Sequence, residues 1–231
     1  MPHMAPDADA QEAWERLLAA ERRLQGIVPE AVLVGGTAAA LHAGHRISLD
    51  GDHVLGDLRE RFPDVLKRLE STAGWKTERI QPPVLILGSL DGCLTGLRQQ
   101  IRARPLEVER RRDLKVPTLP EMVRIKAWLC LTRNTTRDLL DTVALLETLG
   151  EARLADAFSS FDSIYERGPG GGLPLVELIE RLSEARPTDQ ARVDLRSYRS
   201  VKPPWNDLDS VTERARSWAG RLARLALEEG G

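Results

Sequence analysis

Soft metal ligands are scarce in this 231-residue chain, which holds two cysteines, Cys93 and Cys130, and four histidines. The cysteines do not form a C-x-x-C pair and the histidines are scattered, which argues against a zinc site and against a disulfide framework. Both thiols read as small buried hydrophobes. Aromatic residues make up only 4%. No RRM or KH signature is present, so platforms for stacking bases are few, and Trp75, Trp128 and Trp205 read as core residues. No apolar run approaches the ~20 residues that a bilayer-spanning helix needs. The opening MPHMAPDADAQEAW lacks a basic stretch followed by an apolar one, so the expectation is a cytoplasmic protein with no membrane partner. Its first four residues carry no structural expectation. A net charge of −2 announces no global basic field. The phosphate-binding motifs G-x-G-x-x-G and Gly-Lys-Ser/Thr are missing as well, and there is no internal repeat or low-complexity tract.

What is present fits a globular protein: 42% hydrophobic and 29% charged residues, in a chain long enough for one large domain or two small ones. Residues 9–26 place Trp14, Leu17, Leu18 and Leu24 at helical spacing. EAVLVGG is an apolar run stopped by glycine and reads as a buried strand. TAAALHA reads as one or two helical turns, and 46–55 returns to strand character. The amphipathic stretch from Gly56 closes as a helix near Gly74. Between Trp75 and Val116, short segments separated by glycine or proline read as strands of a mixed sheet. After Pro117 the period becomes 3.6. Helices are expected at 119–131, 135–149, 151–165, 173–185 and 207–229, with a loop at 168–172. The fold class is therefore α/β (α+β), a mixed sheet with flanking helices over 1–116 followed by a helical half over 117–231.

Chemistry concentrates in GGTAAALHAGHRISLDGD, residues 35–52. Side chains alternate faces along a strand, so Asp50 and Asp52 point the same way. Two neighbouring carboxylates repel, and burying them unpaired is costly. Mg²⁺, with Mn²⁺ as an alternative, is a natural partner: a hard cation that prefers oxygen and leaves sites open for phosphate. Gly51 between them leaves the opposite face empty, allowing a bulge or a close approach. Gly35 and Gly36, followed by a helix start at Thr37, present backbone N–H groups to an anion. Singly, Gly-Gly reads as a tight turn and D-x-D as a solvated strand end. In strand–turn–helix–strand order they combine into a triphosphate cradle.

This order resembles the signature of the DNA polymerase beta-like nucleotidyltransferase superfamily, Gly-Gly or Gly-Ser, a short helix, then D-x-D. More closely it is similar to the AbiEii/AbiGii toxin family, which includes the MenT toxins, on Gly35, Gly36, Thr37, Leu41, Arg46, Ser48, Asp50 and Asp52. The similarity extends to KAWLCLTRNTTRDLLD and covers residues 30–150. The resemblance implies two metal ions on the aspartates, activating the attacking group and stabilising the departing pyrophosphate. It also brings Lys126 and one of Asp138 or Asp141 to the mouth of the site.

Read by itself, the helix carrying Lys126 is apolar nearly all round, so the ammonium must snorkel or find a carboxylate or phosphate. Asp138 and Asp141 lie off the main stripe of their helix, Leu139, Leu140, Val143 and Leu146. Arg137 and Asp141 also read as an i,i+4 ion pair, and Asp138 as a residue favouring the helix N-terminus. Asp91 is either a third carboxylate or, in LDG, a plain turn, the reading we favour. Gly51 and His53 stand where the family commonly has an aliphatic and an aromatic residue. His53 reads as a base or ribose contact or as an ordinary strand-end partner. Residues 98–115 hold seven positive side chains (Arg98, Arg102, Arg104, Arg110, Arg111, Arg112, Lys115) against three negative, a solvated face or a phosphate-backbone patch.

The expected function is a Mg²⁺-dependent nucleotidyltransferase. Gly35, Gly36, Thr37 and Ser48 would hold the NTP, Asp50 and Asp52 the metal, and Arg46 and Lys126 the phosphate charge. Asp138 or Asp141 would orient a lysine or act as base. The resemblance implies a tRNA 3′ end as acceptor and a toxin–antitoxin setting with a separate antitoxin protein. The alternative is an inactive descendant of the fold that binds nucleotide or a protein partner.

Overall fold

An apolar stripe of Ala10, Trp14, Leu17, Leu18 and Leu24 is buried along the first helix, α1 (Pro6–Ile27), where its spacing requires a neighbour. The computed structural model describes residues 6–102, 104–168, 170–198 and 200–229. The opening Met-Pro-His-Met and Pro169 of the glycine-rich loop lie outside the described residues. Two compact units emerge: residues up to Leu41 with Ile47–Pro117, and His42–Arg46 with the chain from Thr118 onward.

The first unit is built on a five-stranded mixed sheet. Its strands are β1 (Val32–Val34), β2 (Asp50–Leu55), β3 (Trp75–Gln81), β4 (Leu85–Leu90) and β5 (Cys93–Gln99), in the spatial order β1-β2-β5-β4-β3. Only β2 and β5 run parallel. Between β1 and β2 lies α2 (Gly35–Ala43), and between β2 and β3 lies α3 (Leu58–Glu70). α1 and α3 cover one face of the sheet. There Leu24, Val28, Leu58, Phe62, Val65 and Leu69 pack against Leu55, Trp75, Ile86, Leu90 and Leu97.

Two expectations of strand extent change. The strand expected from Arg46 starts at Asp50, because its neighbour β5 begins at Cys93 and pairs Leu94 with Asp50. Upstream of Asp50 the chain has no strand to bond, since β5 has by then turned away at Asp91-Gly92. The last segment of the expected mixed sheet is separate. β6 (Val108–Arg111) and β7 (Leu114–Pro117) form their own two-stranded hairpin. Arg112 and Asp113 both take positive φ there (49° and 65°), which matches a tight two-residue turn to the strand twist.

The second unit is helical. α4 (Leu119–Arg133) starts on Thr118, whose hydroxyl accepts the Glu121 N–H, and ends on Asn134 in the left-handed conformation, φ 51°. α5 (Thr136–Leu149) is capped by Thr135 in the same way. Next come α6 (Leu154–Phe158), α7 (Phe161–Ile164), α8 (Pro174–Ser183) and α9 (Leu208–Glu229). Among the described residues no helix is long and apolar enough to cross a membrane.

Candidate active site

Exposure alternates along β2, so Asp50, Asp52 and Val54 stand half-buried on one face while Gly51, His53 and Leu55 are buried on the other. The glycine turn lies against the aspartates. A Cβ on Gly35 would sit 3.0 Å from Asp52 Oδ2 and 3.2 Å from its Cβ, and Gly35 has φ +71°. Both the close approach and the left-handed backbone call for glycine. Ser48 donates its hydroxyl to Asp50 Oδ1 at 2.7 Å, fixing that carboxylate. Thr37 is fully buried and gives its hydroxyl to the Asp50 carbonyl at 2.7 Å, tying the first turn of α2 to β2. Gly36 follows Gly35 at the start of α2, a helix with no acidic residue in its first turn, and its end favours an anion.

The face behind Gly51 is not empty. A Cβ there would run into the carboxyl group of Glu21. Glu21 comes from α1 and is 0% exposed. Thr95 donates to its Oε2 at 2.8 Å, His53 Nδ1 lies 3.4 Å from the same oxygen, and Oε1 has no hydrogen-bond partner. Burial pushes the Glu21 carboxyl up to about 8, against the Thr95 hydrogen bond and with the help of Asp52 and Asp50. Burial also depresses the His53 imidazole to about 3. At neutral pH the contact is therefore between an uncharged acid and an uncharged imidazole, not an ion pair. His53 stands on the face away from Asp50 and Asp52, which removes the base-contact reading. The sequence carried a sign of Glu21: it continues the buried stripe of Leu17, Leu24 and Val28.

The second unit gathers the other expected residues. Asp141, 0% exposed, receives Arg46 through Nε at 2.8 Å and Nη2 at 3.0 Å, and Lys126 Nζ at 2.7 Å. His45 Nε2 lies 2.7 Å from Asp141 Oδ1 and its ring meets Trp205 edge-on. Burial alone would raise the Asp141 carboxyl, but Lys126 and Arg46 hold it well below the usual carboxylate range. Asp138 sits in the first turn of α5, accepts the Thr135 hydroxyl at 2.8 Å and lies 3.8 Å from Lys126 Nζ. Thus Lys126 does not snorkel; its ammonium is spent on carboxylates. His45 gave no sign in the sequence.

Asp91 is a turn residue. With φ 52°, it shares the β4–β5 turn with Gly92 and pairs with Arg23 at 2.6 Å. Part of the basic run is neutralised: Arg98 meets Asp52, Arg111 meets Glu109, and Arg112 meets Glu15. Cys130 is buried and Cys93 partly so. Trp75 is buried, and Trp128 is half-buried and stacked on Tyr165.

Asp50 and Asp52 offer a hard oxygen pair suited to one divalent cation, completed by phosphate and water. Among the described residues no group of three or more His, Cys, Asp or Glu side chains forms a fuller metal site.

No known family profile matches the chain. Over 128 residues it is 26% identical to the mycolic acid-containing lipids exporter MmpL11 of Mycolicibacterium smegmatis, a stretch that is 49% of this chain and 13% of that protein. The chain therefore corresponds to a small part of this relative's length. Its structure is similar to that of JHP933 from Helicobacter pylori, with a TM-score of 0.59 and 16% identity over 96% of this chain and 95% of the other. It is similar also to a candidate nucleotidyltransferase from H. pylori, with a TM-score of 0.61 and 17% identity over 97% and 98%. These likenesses establish the fold, a mixed α/β architecture shared with both H. pylori structures.

Proposed function

We propose that the chain is a divalent-cation-dependent nucleotidyltransferase that moves a nucleoside monophosphate from an NTP to an acceptor hydroxyl. One observation carries this reading: Asp52, beside Asp50 on the half-open face of β2, lies in contact distance of the Gly35 turn. The N–H groups from Gly36 onward bind phosphate oxygens, and Ser48 holds the Asp50 carboxylate in place. A Mg²⁺ ion on the two aspartates would supply charge neutralisation for the phosphates. The acceptor oxygen attacks the α-phosphorus in line, and a new P–O bond forms as the bond to the β-phosphate oxygen breaks. Pyrophosphate leaves, and the hydroxyl proton passes to solvent or to an aspartate.

The acceptor we propose is a tRNA 3′ end and the setting a toxin with a separate antitoxin, both resting on the resemblance of residues 35–52 and 126–141. A second reading, an inactive nucleotidyltransferase fold that binds nucleotide or a protein partner, is favoured by the ion pair of Arg98 with Asp52, 3.3 Å. Incubation with radiolabelled NTPs, Mg²⁺ and total tRNA separates the two. Label transfer that disappears in Asp50→Ala and Asp52→Ala supports the enzyme. Nucleotide binding without transfer to any acceptor supports the second reading.

A further inference from the structure

We propose that this site takes one divalent cation rather than two, and that the Arg98 guanidinium binds the nucleotide phosphates where a second cation would otherwise stand. The proposal rests on the nucleotidyltransferase reading and adds to it a phosphate-contacting residue that the resemblance does not assign.

The parallel register decides what flanks the aspartates. Asp50 pairs with Leu94, Asp52 with Gly96, and Val54 with Arg98. Partners across a ladder share a face, so the side chains beside the aspartates on β5 are Leu94, Gly96 and Arg98. On the other flank β1 sets Val34 opposite Asp52 and Val32 opposite Val54. Neither neighbouring strand adds a carboxylate. Leu94, 51% exposed, is an uncovered aliphatic group directly across from Asp50. At Gly96 a side chain would collide with Leu87 and the Ile86 carbonyl.

Two divalent cations in a site of this kind stand roughly 3.5–4 Å apart and share bridging ligands. Asp50 and Asp52 together carry two negative charges, which one divalent cation balances. A second cation would have to take its ligands from the triphosphate and water, because the flanking strands offer it Leu94, Gly96 and Arg98 but no further carboxylate. Arg98 Nε lies 3.3 Å from Asp52 Oδ1, and half of the side chain (50%) remains exposed. Held through Nε, it has further N–H donors that phosphate oxygens can accept from. A planar fork of N–H groups matches phosphate oxygens, and unlike Mg²⁺ it needs no carboxylate cage.

The test is a crystal of the full chain with a non-hydrolysable NTP analogue and Mn²⁺, read by anomalous scattering. One Mn²⁺ peak at Asp50 and Asp52, with the Arg98 guanidinium on a phosphate oxygen, is the expected result. Two peaks overturn the inference and leave the proposed function intact. Analogue bound elsewhere, or no Mn²⁺ at the aspartates, overturns both. In the same crystals Leu94→Asp is expected to gain a second Mn²⁺. In solution, Arg98→Ala is expected to weaken analogue binding measured by calorimetry at least tenfold and to lower kcat by about 10²–10³-fold. Arg98→Lys should recover part of the affinity. Unchanged affinity in Arg98→Ala sinks the proposal.

Discussion

Glu21 in the sheet unit and Asp141 in the helical unit are equally hidden from water, both 0% exposed, yet they are in opposite states. Glu21 keeps its proton, with one hydroxyl donor, a neutral histidine and an oxygen that nothing satisfies. Asp141 is ionised and gripped by a guanidinium and an ammonium. Burial penalises both anions, and only the second has cations near enough to overcome it. The pair shows that a buried carboxylate's charge is decided by its neighbours on other elements, not by depth.

The sharpest way to break the comparison is to remove the Asp141 charge. Asp141→Asn removes the anion that Arg46 and Lys126 share, leaving Asp138 at 3.8 Å from the lysine, and should cost about 3–5 kcal/mol in urea unfolding. A loss below about 1 kcal/mol would mean that water or other groups already compensate those cations.

An effect of comparable size, but spread over a pH window, belongs to Glu21. Its folded pKa of about 8 lies above the ordinary 4.5, so its contribution is fully present below pH 4.5 and is lost as pH rises through 8. Wild type should lose stability against Glu21→Gln across that window, by about 1.4 kcal/mol per pH unit. Asp141 has the opposite sign: its depressed pKa gives stability that is present above the ordinary 3.8 and lost as pH falls below it. Parallel pH profiles for wild type and Glu21→Gln between pH 5 and 8 would show that Glu21 is not the protonated group.

The smallest effect is expected at a carboxylate that is not buried. Asp91 and Arg23 are each more than two-fifths exposed, and Asp91→Asn preserves the left-handed turn while removing the ion pair. The change should stay under about 1 kcal/mol. A thermal melt showing a larger drop would give this surface pair a weight that the comparison denies it.

Local signals in the sequence were reliable where one segment made its own geometry. Gly35-Gly36 at the opening of a short helix, the shared face of Asp50 and Asp52, the Asp91-Gly92 turn and the helices expected near 119–131, 135–149, 173–185 and 207–229 all follow from spacing within a few residues, whereas the single helix expected over 151–165 is broken into a 3-10 turn, α6 and α7. The features that escaped are those made by partners far along the chain. The start of β2 depends on where β5 begins, some forty residues later. The β6–β7 hairpin has strand-like composition, and nothing in that composition says which sheet it joins. Gly51 read as vacant space because its occupant, Glu21, comes from α1. Lys126 was legible as a cation needing an anion, but the choice of Asp141, shared with Arg46 and His45, required the packing of α4 and α5 to be known.

The contact behind the D-x-D strand has a consequence for how this chain can diverge. Positions 51 and 21 are one steric decision taken at two places. Any residue larger than glycine at 51 demands that the acid at 21 shrink, and a shortened residue at 21 takes away the acceptor of the Thr95 hydroxyl beneath the D-x-D strand. A chain with valine or isoleucine between its two aspartates therefore has to carry a small side chain on the first helix, and its strand would lose the proton that now lies under it.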